Sequence, residues 1–283
     1  MSRKDKLEQM RTILKAISSE ELKQGNSIIV ADEGEEFRWF IEALSLMAKQ
    51  VNLCEACITL LEKDMEQEGY VLARSQFNNM LWIKYLIEDP DRSHLDEFIA
   101  QPYVSQIFIN ERLKESLNHL DEEFKKKLKE LLGRDPETAL DEGIDRCKKE
   151  KDRLNVSDNK PKSILKLAKT NPDLFDMYIT LYSEGSRFEH SDISTTKMYR
   201  KSILQEYDND HAFSFELNTH NDEMWDRVFN FSHMCIFMSH DAIRGKITGS
   251  ERHLIDGVGN IKGAFNEQGL KSIDMMFFSL LTK

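Results

Sequence analysis

The chain has 283 residues, of which 40% are hydrophobic and 31% are charged. With only 12 Gly and 5 Pro it lacks the turn residues of a β architecture, and this composition favours a globular, all-α protein. The net charge of −11 excludes a global positive field that would attract nucleic acid or an anionic membrane, so any such contact must be local.

The first 23 residues are charged throughout and lack the apolar segment of a secretory signal. No apolar stretch approaches the roughly 18 residues that a membrane-spanning helix needs. We therefore expect a cytoplasmic protein with no membrane contact. Four cysteines are too few for a disulfide framework in a chain of this length, so reduced thiols are expected.

Residues 36–65 predict one long helix, because apolar side chains recur every three or four positions and no Pro or Gly interrupts them. Gly69 is expected to mark its end. A second helix is predicted from residue 71, stopping before Pro90 because proline disfavours the α conformation in the residue before it. Two long helices with a short connection are expected to pack antiparallel.

The middle of the chain is charged. Residues 103–132 predict a helix with a lysine-rich second half, and residues 137–154 predict another, followed by a loop. Residues 125–169 hold 14 basic and 9 acidic side chains, a net charge of +5 against −16 for the rest of the chain. This basic island either meets RNA phosphates or is a solvated helix surface, since it lacks the interleaved aromatic residues that would stack on bases.

A short helix at 163–169 is expected to precede a longer one that has Asn171 as its N-cap and Pro172 at its first position. Residues 192–220 lose the helical period and predict a loop, with an extended piece around Phe215. Length alone leaves one large helical domain or two smaller ones equally open, and we expect a single helical domain over residues 1–283.

The last third of the chain predicts two more helices. Asn221 or Asp222 is expected to cap the first, whose apolar residues repeat with core spacing until Gly245 and Gly249 end it. The final segment, IDMMFFSLL, is an apolar helix that must be buried in this protein or in a partner.

The most site-like feature is the end of the helix that begins at Pro172. Tyr182, Ser186 and His190 lie four residues apart, with Arg187 three positions before the histidine. A histidine can give or take a proton near neutral pH and an arginine can hold a phosphate, so the group suits phosphodiester chemistry. The alternative is a helix C-terminus at which cations offset the helix dipole and the other side chains pack.

These residues resemble a motif of a known protein family. The pattern Tyr-x3-Ser-x3-His-Ser resembles the late motif of a bacterial family of unknown function related to the HEPN helical superfamily, and it is formed by Tyr182, Ser186, His190 and Ser191. The segment LARSQFNNMLWIKYLIED is similar to the early helix of that family, with correspondence at Arg74, Ser75 and Phe77. The resemblance covers about residues 45–195.

The resemblance implies a HEPN-like helical bundle over residues 36–195. It does not cover the residues after 200, whose own apolar pattern predicts a C-terminal helical extension at 200–283. It also implies a metal-independent endoribonuclease of a bacterial defence or toxin system, which needs no cofactor and has RNA as its partner. His190 would then be the acid/base and Arg187 or Arg74 would hold the phosphate. The binding residues would be Tyr182, Ser186 and Ser191.

The arginine–histidine spacing departs from that superfamily. Its motif has four to six residues between Arg and His, whereas two separate Arg187 from His190. The superfamily spacing occurs at Arg112 to His119 and at Arg227 to His233, but two matches are close to the number expected by chance. The alternative function is therefore a non-catalytic binding or regulatory module that acts through a protein partner or as a homodimer.

The remaining patterns favour structural roles. His233 and His240 are seven residues apart, which is a weak metal pattern, and no metal site is expected. Cys54 and Cys57 fall inside a predicted helix and are expected to pack in the core. No phosphate-binding glycine motif occurs, so no nucleotide cofactor is expected.

Overall fold

The computed structural model describes residues 1–20, 38–88, 93–158, 160–190, 199–202, 213–215, 221–248 and 267–281. Helices form nearly all of this part of the chain, which confirms the prediction of an all-α protein. The first six helices are α1 (Arg3–Glu20), α2 (Arg38–Leu61), α3 (Glu66–Ile87), α4 (Ser93–Leu117), α5 (Glu122–Leu132) and α6 (Pro136–Arg153). They are followed by α7 (Ile164–Ala168), α8 (Pro172–Met177), α9 (Ser183–Glu189), α10 (Asp222–Thr248) and α11 (Glu267–Leu281).

The chain divides into two compact units. Unit 1 comprises Met1–Glu88 and Ala168–Lys283, and unit 2 comprises Asp89–Leu167. The predicted single domain over 1–283, with a core at 36–195 and an extension at 200–283, stays a prediction.

Helices α2 and α3 form the first pair of unit 1 and pack antiparallel, as predicted. The Cys57 thiol donates to the Gly69 carbonyl at 3.5 Å, and further along the pair the Asn79 amide donates to Gln50 at 3.2 Å. Among the described helices, α2 is long and apolar enough to cross a membrane by length and composition alone. Its buried face packs on α3 and α10, as the face of a core helix does.

Helix α10 completes the centre of unit 1. The Trp225 indole N–H donates to the Leu61 carbonyl at 3.1 Å, and the Gln76 amide donates to Ser232 Oγ at 2.9 Å. The prediction that Gly69 ends α2 is wrong, because α2 ends at Leu61 and Gly69 lies inside α3. A Cβ at Gly69 would lie 3.3 Å from Val228 Cγ1, so this glycine permits the close approach of α3 and α10.

Helices α1 and α11 cover one side of this centre. One face of α1 is buried through Leu7, Met10, Ile13, Leu14 and Ile17. Gln9 Nε2 donates to the Met276 carbonyl at 3.2 Å, and Ile273 and Phe277 of α11 are buried. The apolar face of the final helix is thus partly buried within this protein, while Met275 and Phe278 remain exposed.

In unit 2 the prediction of one helix over 103–132 is wrong. Helix α4 begins at Ser93, passes through Pro102 on its exposed side and ends at Leu117. A new helix, α5, then starts because Asp121 Oδ1 accepts a hydrogen bond from the Phe124 amide at 2.7 Å and caps it. Helices α4 and α6 pack on each other, with Lys114 Nζ 2.6 Å from Asp141 Oδ1.

Both predicted caps in the second half of the chain are confirmed. Asn171 Oδ1 accepts from the Asp173 amide at 2.9 Å, and Asn221 Oδ1 accepts from the Met224 amide at 3.0 Å. The prediction that Gly245 ends its helix is wrong, since α10 continues to Thr248; Gly249 lies outside the described residues.

The predicted loop at 192–220 contains regular structure where it is described, at 199–202 and 213–215, and its other residues lie outside the described part of the chain. Strands β1 (Arg200–Ser202) and β2 (Phe213–Phe215) pair antiparallel, with Arg200 opposite Phe215. The extended piece around Phe215 is thus a strand, and its partner had no pattern of its own because three residues are too few to show a period.

Candidate functional site

The segment that carries the predicted site is not one regular helix. Between α8 and α9, residues Tyr178–Tyr182 form a π turn, in which the Ser183 amide donates to the Tyr178 carbonyl five residues earlier. A π turn inserts one residue into the helical repeat and is frequent at functional sites. Because of this insertion Tyr182 is buried, while Ile179 is 53% exposed.

Arg74 of α3 meets this segment. Its Nη2 donates to the Tyr182 hydroxyl at 2.9 Å, and its guanidinium carbon lies 4.5 Å from the centre of the Tyr182 ring. The Tyr182 ring also lies 5.0 Å from that of Tyr178 and 5.5 Å from that of Phe77. The side chain of Arg74 is 14% exposed, so its orientation is fixed between α3 and the π turn.

Glu189 is the carboxylate partner of Arg74. Arg74 Nη1 forms an ion pair with Glu189 Oε2, and His190 Nε2 lies 3.8 Å from the same oxygen. Arg74 Nε is buried without a hydrogen-bond partner among the described residues. The arginine predicted to hold a phosphate is therefore already paired with a carboxylate, and His190 lies beside that pair.

Gly185 sets the distance between α9 and α3. A Cβ at this position would lie 3.1 Å from Tyr70 Cδ2 and 3.5 Å from Arg74 Cβ. The Tyr70 ring stacks on Phe188 with the centres 5.5 Å apart. A larger residue at Gly185 would push α9, and with it His190, away from α3.

Glu184 forms a second polar contact at this end of α9. The Tyr70 hydroxyl donates to Glu184 Oε2 at 3.1 Å, and Arg227 Nη1 donates to Glu184 at 3.0 Å. Burial and the neighbouring Glu184 carboxylate raise the pKa of Tyr70 well above its ordinary value. Tyr70 is consequently a neutral hydrogen-bond donor that holds α9 on α3.

The predicted site residues lie at different depths. Tyr182 is 8% exposed, Ser186 is half-buried, and Arg187 is exposed; the side chain of His190 is 71% exposed. The predicted site residues therefore become more exposed along α9, from the buried Tyr182 to the exposed His190. Ser191 lies outside the described residues. The structure thus joins Arg74 directly to Tyr182, whereas His190 reaches this pair only through Glu189.

The two other arginine–histidine pairs do not include His190, although Arg227 contacts Glu184 of α9. His233 is 1% exposed and its ring contacts those of Phe229 and Phe277, whereas Arg227 lies at the surface. Burial lowers the pKa of His233 to about 4. Arg112 and His119 are both exposed in unit 2.

His240, Cys54, Cys57 and Cys235 are buried in unit 1, whereas Cys147 is half-buried in α6 of unit 2. His240 Nε2 lies 3.1 Å from Asp274 Oδ1 of α11. Cys54 and Cys57 are buried in α2 as predicted, and burial raises the pKa of the Cys54 thiol to about 12. Within the described residues, no group of three His, Cys, Asp or Glu side chains is placed to hold a metal ion.

A known family model matches residues 41–209, which is more than half of the chain. The chain belongs to that family, described as a family of unknown function, DUF5677. No curated protein and no solved structure matches the chain. The DUF5677 match includes both Arg74 and the segment from Tyr182 to His190.

Two residues of this cluster were not predicted from the sequence. Glu184 and Glu189 are the carboxylates that hold α9 on α3 through Tyr70 and Arg74. Glu189 lies seven positions after Tyr182, so the same helical face included it. Chemically, the cluster offers an exposed imidazole beside a carboxylate–guanidinium pair, an arrangement that can move a proton at the surface of unit 1.

Proposed function

We propose that this DUF5677 protein is a HEPN-like, metal-independent endoribonuclease of a bacterial defence or toxin system, with its site at residues 182–190. One observation supports the proposal most: Arg74 of α3 contacts Tyr182 and Glu189 at the two ends of the segment that contains His190. The segment is thus held in one orientation, and preorganised groups are what transition-state stabilisation requires.

Each residue has a separate role in this proposal. His190 takes the proton of an RNA 2′-hydroxyl, whose oxygen attacks the adjacent phosphorus. The bond from phosphorus to the 5′ oxygen breaks, and His190 returns the proton to that leaving oxygen. Arg187, exposed on the same helix, contacts the phosphate. Arg74 is a positioning residue, because Glu189 and Tyr182 already occupy its guanidinium.

The test is RNA cleavage by the purified full chain in the presence of EDTA. His190→Ala should reduce the cleavage rate by about 100-fold or more, the usual contribution of a general acid/base. His119→Ala is the matched control, because it removes another exposed histidine and leaves the cluster intact. Equal cleavage by wild-type protein and His190→Ala would overturn the proposal.

A second candidate function is a non-catalytic module that binds a protein partner or a second copy. Two observations favour it: Met275 and Phe278 of α11 are 67% and 55% exposed, and the Arg74 charge is balanced by Glu189. Exposed apolar side chains that lie close together mark interaction surfaces. Under this function Phe278→Glu should abolish self-association in sedimentation experiments, while Ile179→Glu, a change at another exposed apolar residue, should not. A wild-type chain that stays monomeric at high concentration would remove the homodimer.

A further inference from the structure

Unit 2 contains a cavity that is separate from the cluster at residues 182–190. Its volume is about 700 Å³, and it lies between α4, α5 and α6. Pockets for small ligands usually have volumes of about 300–1,000 Å³ and predominantly apolar walls. Most of the wall is apolar here too, and its main side chains are Leu113, Leu117, Leu128, Leu132, Ala139 and Leu140.

The side chains around the cavity are exposed in a way that a packed core would not allow. Leu113 is 48% exposed and Leu132 is 47% exposed, and α5 has no buried residue. Helix α5 therefore contributes one wall of the cavity without closing it. An apolar ligand chain would remove these leucine surfaces from water and gain about 25 cal/mol for each Å² buried.

One cation lines the cavity. Arg146 of α6 forms no ion pair or hydrogen bond with any residue that the structure describes. The carboxylates nearest to it along α6 have other partners, because Glu142 pairs with Arg134 at 2.7 Å and Glu150 pairs with Arg153 at 2.9 Å. The guanidinium of Arg146 is therefore available to an anion.

The surroundings are balanced in charge. Glu150 also lines the cavity, but it pairs with Arg153. An adjoining depression of about 330 Å³ shares Leu117 and Pro136 with the cavity, and its charged lining consists of three lysines and three carboxylates, namely Lys125, Lys126, Lys129, Glu122, Asp135 and Glu137. Arg146 is therefore the charge of the cavity wall that has no partner among the described residues, and an anion would provide that partner.

We propose that this cavity binds an amphipathic anion, an acyl-chain carboxylate whose chain lies between α4, α5 and α6 and whose carboxylate pairs with Arg146. The polar pair on α4, in which Gln106 Nε2 donates to Asn110 Oδ1 at 2.8 Å, also lines the cavity.

The test is calorimetric titration of the full chain with decanoate, decanol and decyltrimethylammonium, which share an apolar chain and differ in charge. Decanoate should bind once per chain and more tightly than the other two probes. Arg146→Gln should weaken decanoate about tenfold or more, because a charge-assisted pair is lost. Lys149→Gln is the matched control, since Lys149 is an exposed cation of α6 outside the cavity, and it should change little.

Two variants fill the cavity and should abolish decanoate binding. Ala139→Trp does so from α6, and Leu128→Trp does so from α5, where no buried residue is disturbed. Circular dichroism verifies that each variant keeps its helices. The proposal is overturned if decanoate fails to bind, if decanol binds as tightly as decanoate, or if both folded tryptophan variants bind decanoate like wild type. Self-association that decanoate does not affect and that both tryptophan variants abolish would assign the cavity to a second copy, which also overturns it.

Discussion

The two compact units bury their apolar residues to different extents. The largest fully buried side chains of the described chain all belong to unit 1, among them Trp225, Tyr70, Phe40, Phe77 and Phe231. Unit 2 has a small buried cluster of Ala100, Val104 and Val156, and it exposes Phe108, Ile109, Leu113, Phe124, Leu131 and Leu132. A close-packed core can hold a segment such as α9 in one orientation, whereas open apolar surface can receive a ligand.

The largest effect expected from this difference is on stability. Phe231→Ala in unit 1 should lower the free energy of unfolding by about 3–5 kcal/mol, because it leaves a cavity against Tyr70 and Phe77. Leu131→Ala in unit 2 should change it by less than about 0.5 kcal/mol, since Leu131 is 84% exposed.

Urea unfolding followed by circular dichroism measures both variants, because the helices of both units contribute to the signal. Trp39, Trp82 and Trp225 are the three tryptophans of the chain and all lie in unit 1, so tryptophan fluorescence reports the unfolding of unit 1 alone. Equal losses of unfolding free energy for Phe231→Ala and Leu131→Ala would contradict the difference in apolar burial between the two units.

The next effect concerns the pH dependence of unit 1. Burial lowers the pKa of His233 to about 4, below the ordinary value of about 6.5. Between these values the unfolded chain binds a proton that the folded chain does not bind. Acidification from pH 6.5 to pH 4 should therefore lower the free energy of unfolding, by up to about 3 kcal/mol from this group.

His233→Phe isolates this contribution. Phenylalanine fits between the rings of Phe229 and Phe277 and cannot be protonated, so the variant should lose this part of the pH dependence. His119→Ala, an exposed histidine of unit 2, should keep the wild-type dependence. Urea unfolding at pH 4.5 and pH 7 measures both, and parallel curves for wild type and His233→Phe would contradict the prediction.

A smaller effect is expected at the polar cluster. Arg74→Met should cost about 1–2 kcal/mol, because Tyr182 and Glu189 lose their shared partner; Glu189 is 43% exposed, so water screens part of the loss. With Glu189→Gln as the second change, a double-mutant cycle measures the coupling of the pair. The loss of unfolding free energy in the double variant should be smaller than the sum of the losses in the two single variants. Additive losses would show that the ion pair does not hold α9.

The smallest expected effects are on stability, at two glycines of unit 1, and they have opposite signs. Gly185→Ala should destabilise by about 1 kcal/mol, because its Cβ would lie 3.1 Å from the Tyr70 ring. Gly245→Ala in α10 should stabilise by about 0.5–1 kcal/mol, since nothing lies within 4 Å of its Cβ and alanine favours helices. Thermal melting of both variants checks the sign, and two shifts in the same direction would contradict the account of Gly185.

The sequence predicted the helices better than their ends. Apolar periodicity identified α2, α3 and α10, because each buries one continuous face. It did not separate α4 from α5, since the break depends on the capping bond of Asp121. Helix α1 was not predicted either, because its many charged residues conceal a buried stripe of one residue in three or four.

The candidate site was predictable only in part. The sequence assigned Arg74 and Tyr182 to one site through the resemblance, and the structure brings their side chains into contact. It did not indicate Glu189 as the partner of Arg74, because many carboxylates in the chain have the same chemistry and only tertiary packing selects one. The π turn was also unpredicted, since it changes the helical repeat without changing residue type.

The central claim is that RNA contacts the segment at residues 182–190 of unit 1. The most direct measurement is NMR of the histidine ring carbons during titration with a 2′-O-methyl RNA, which lacks the attacking hydroxyl. His190→Ala and His119→Ala assign the signals of these two histidines, which are both exposed. We predict that the His190 signal shifts and saturates with the RNA. A His190 signal unchanged at saturating RNA, with the His119 signal of unit 2 shifting instead, would contradict the claim.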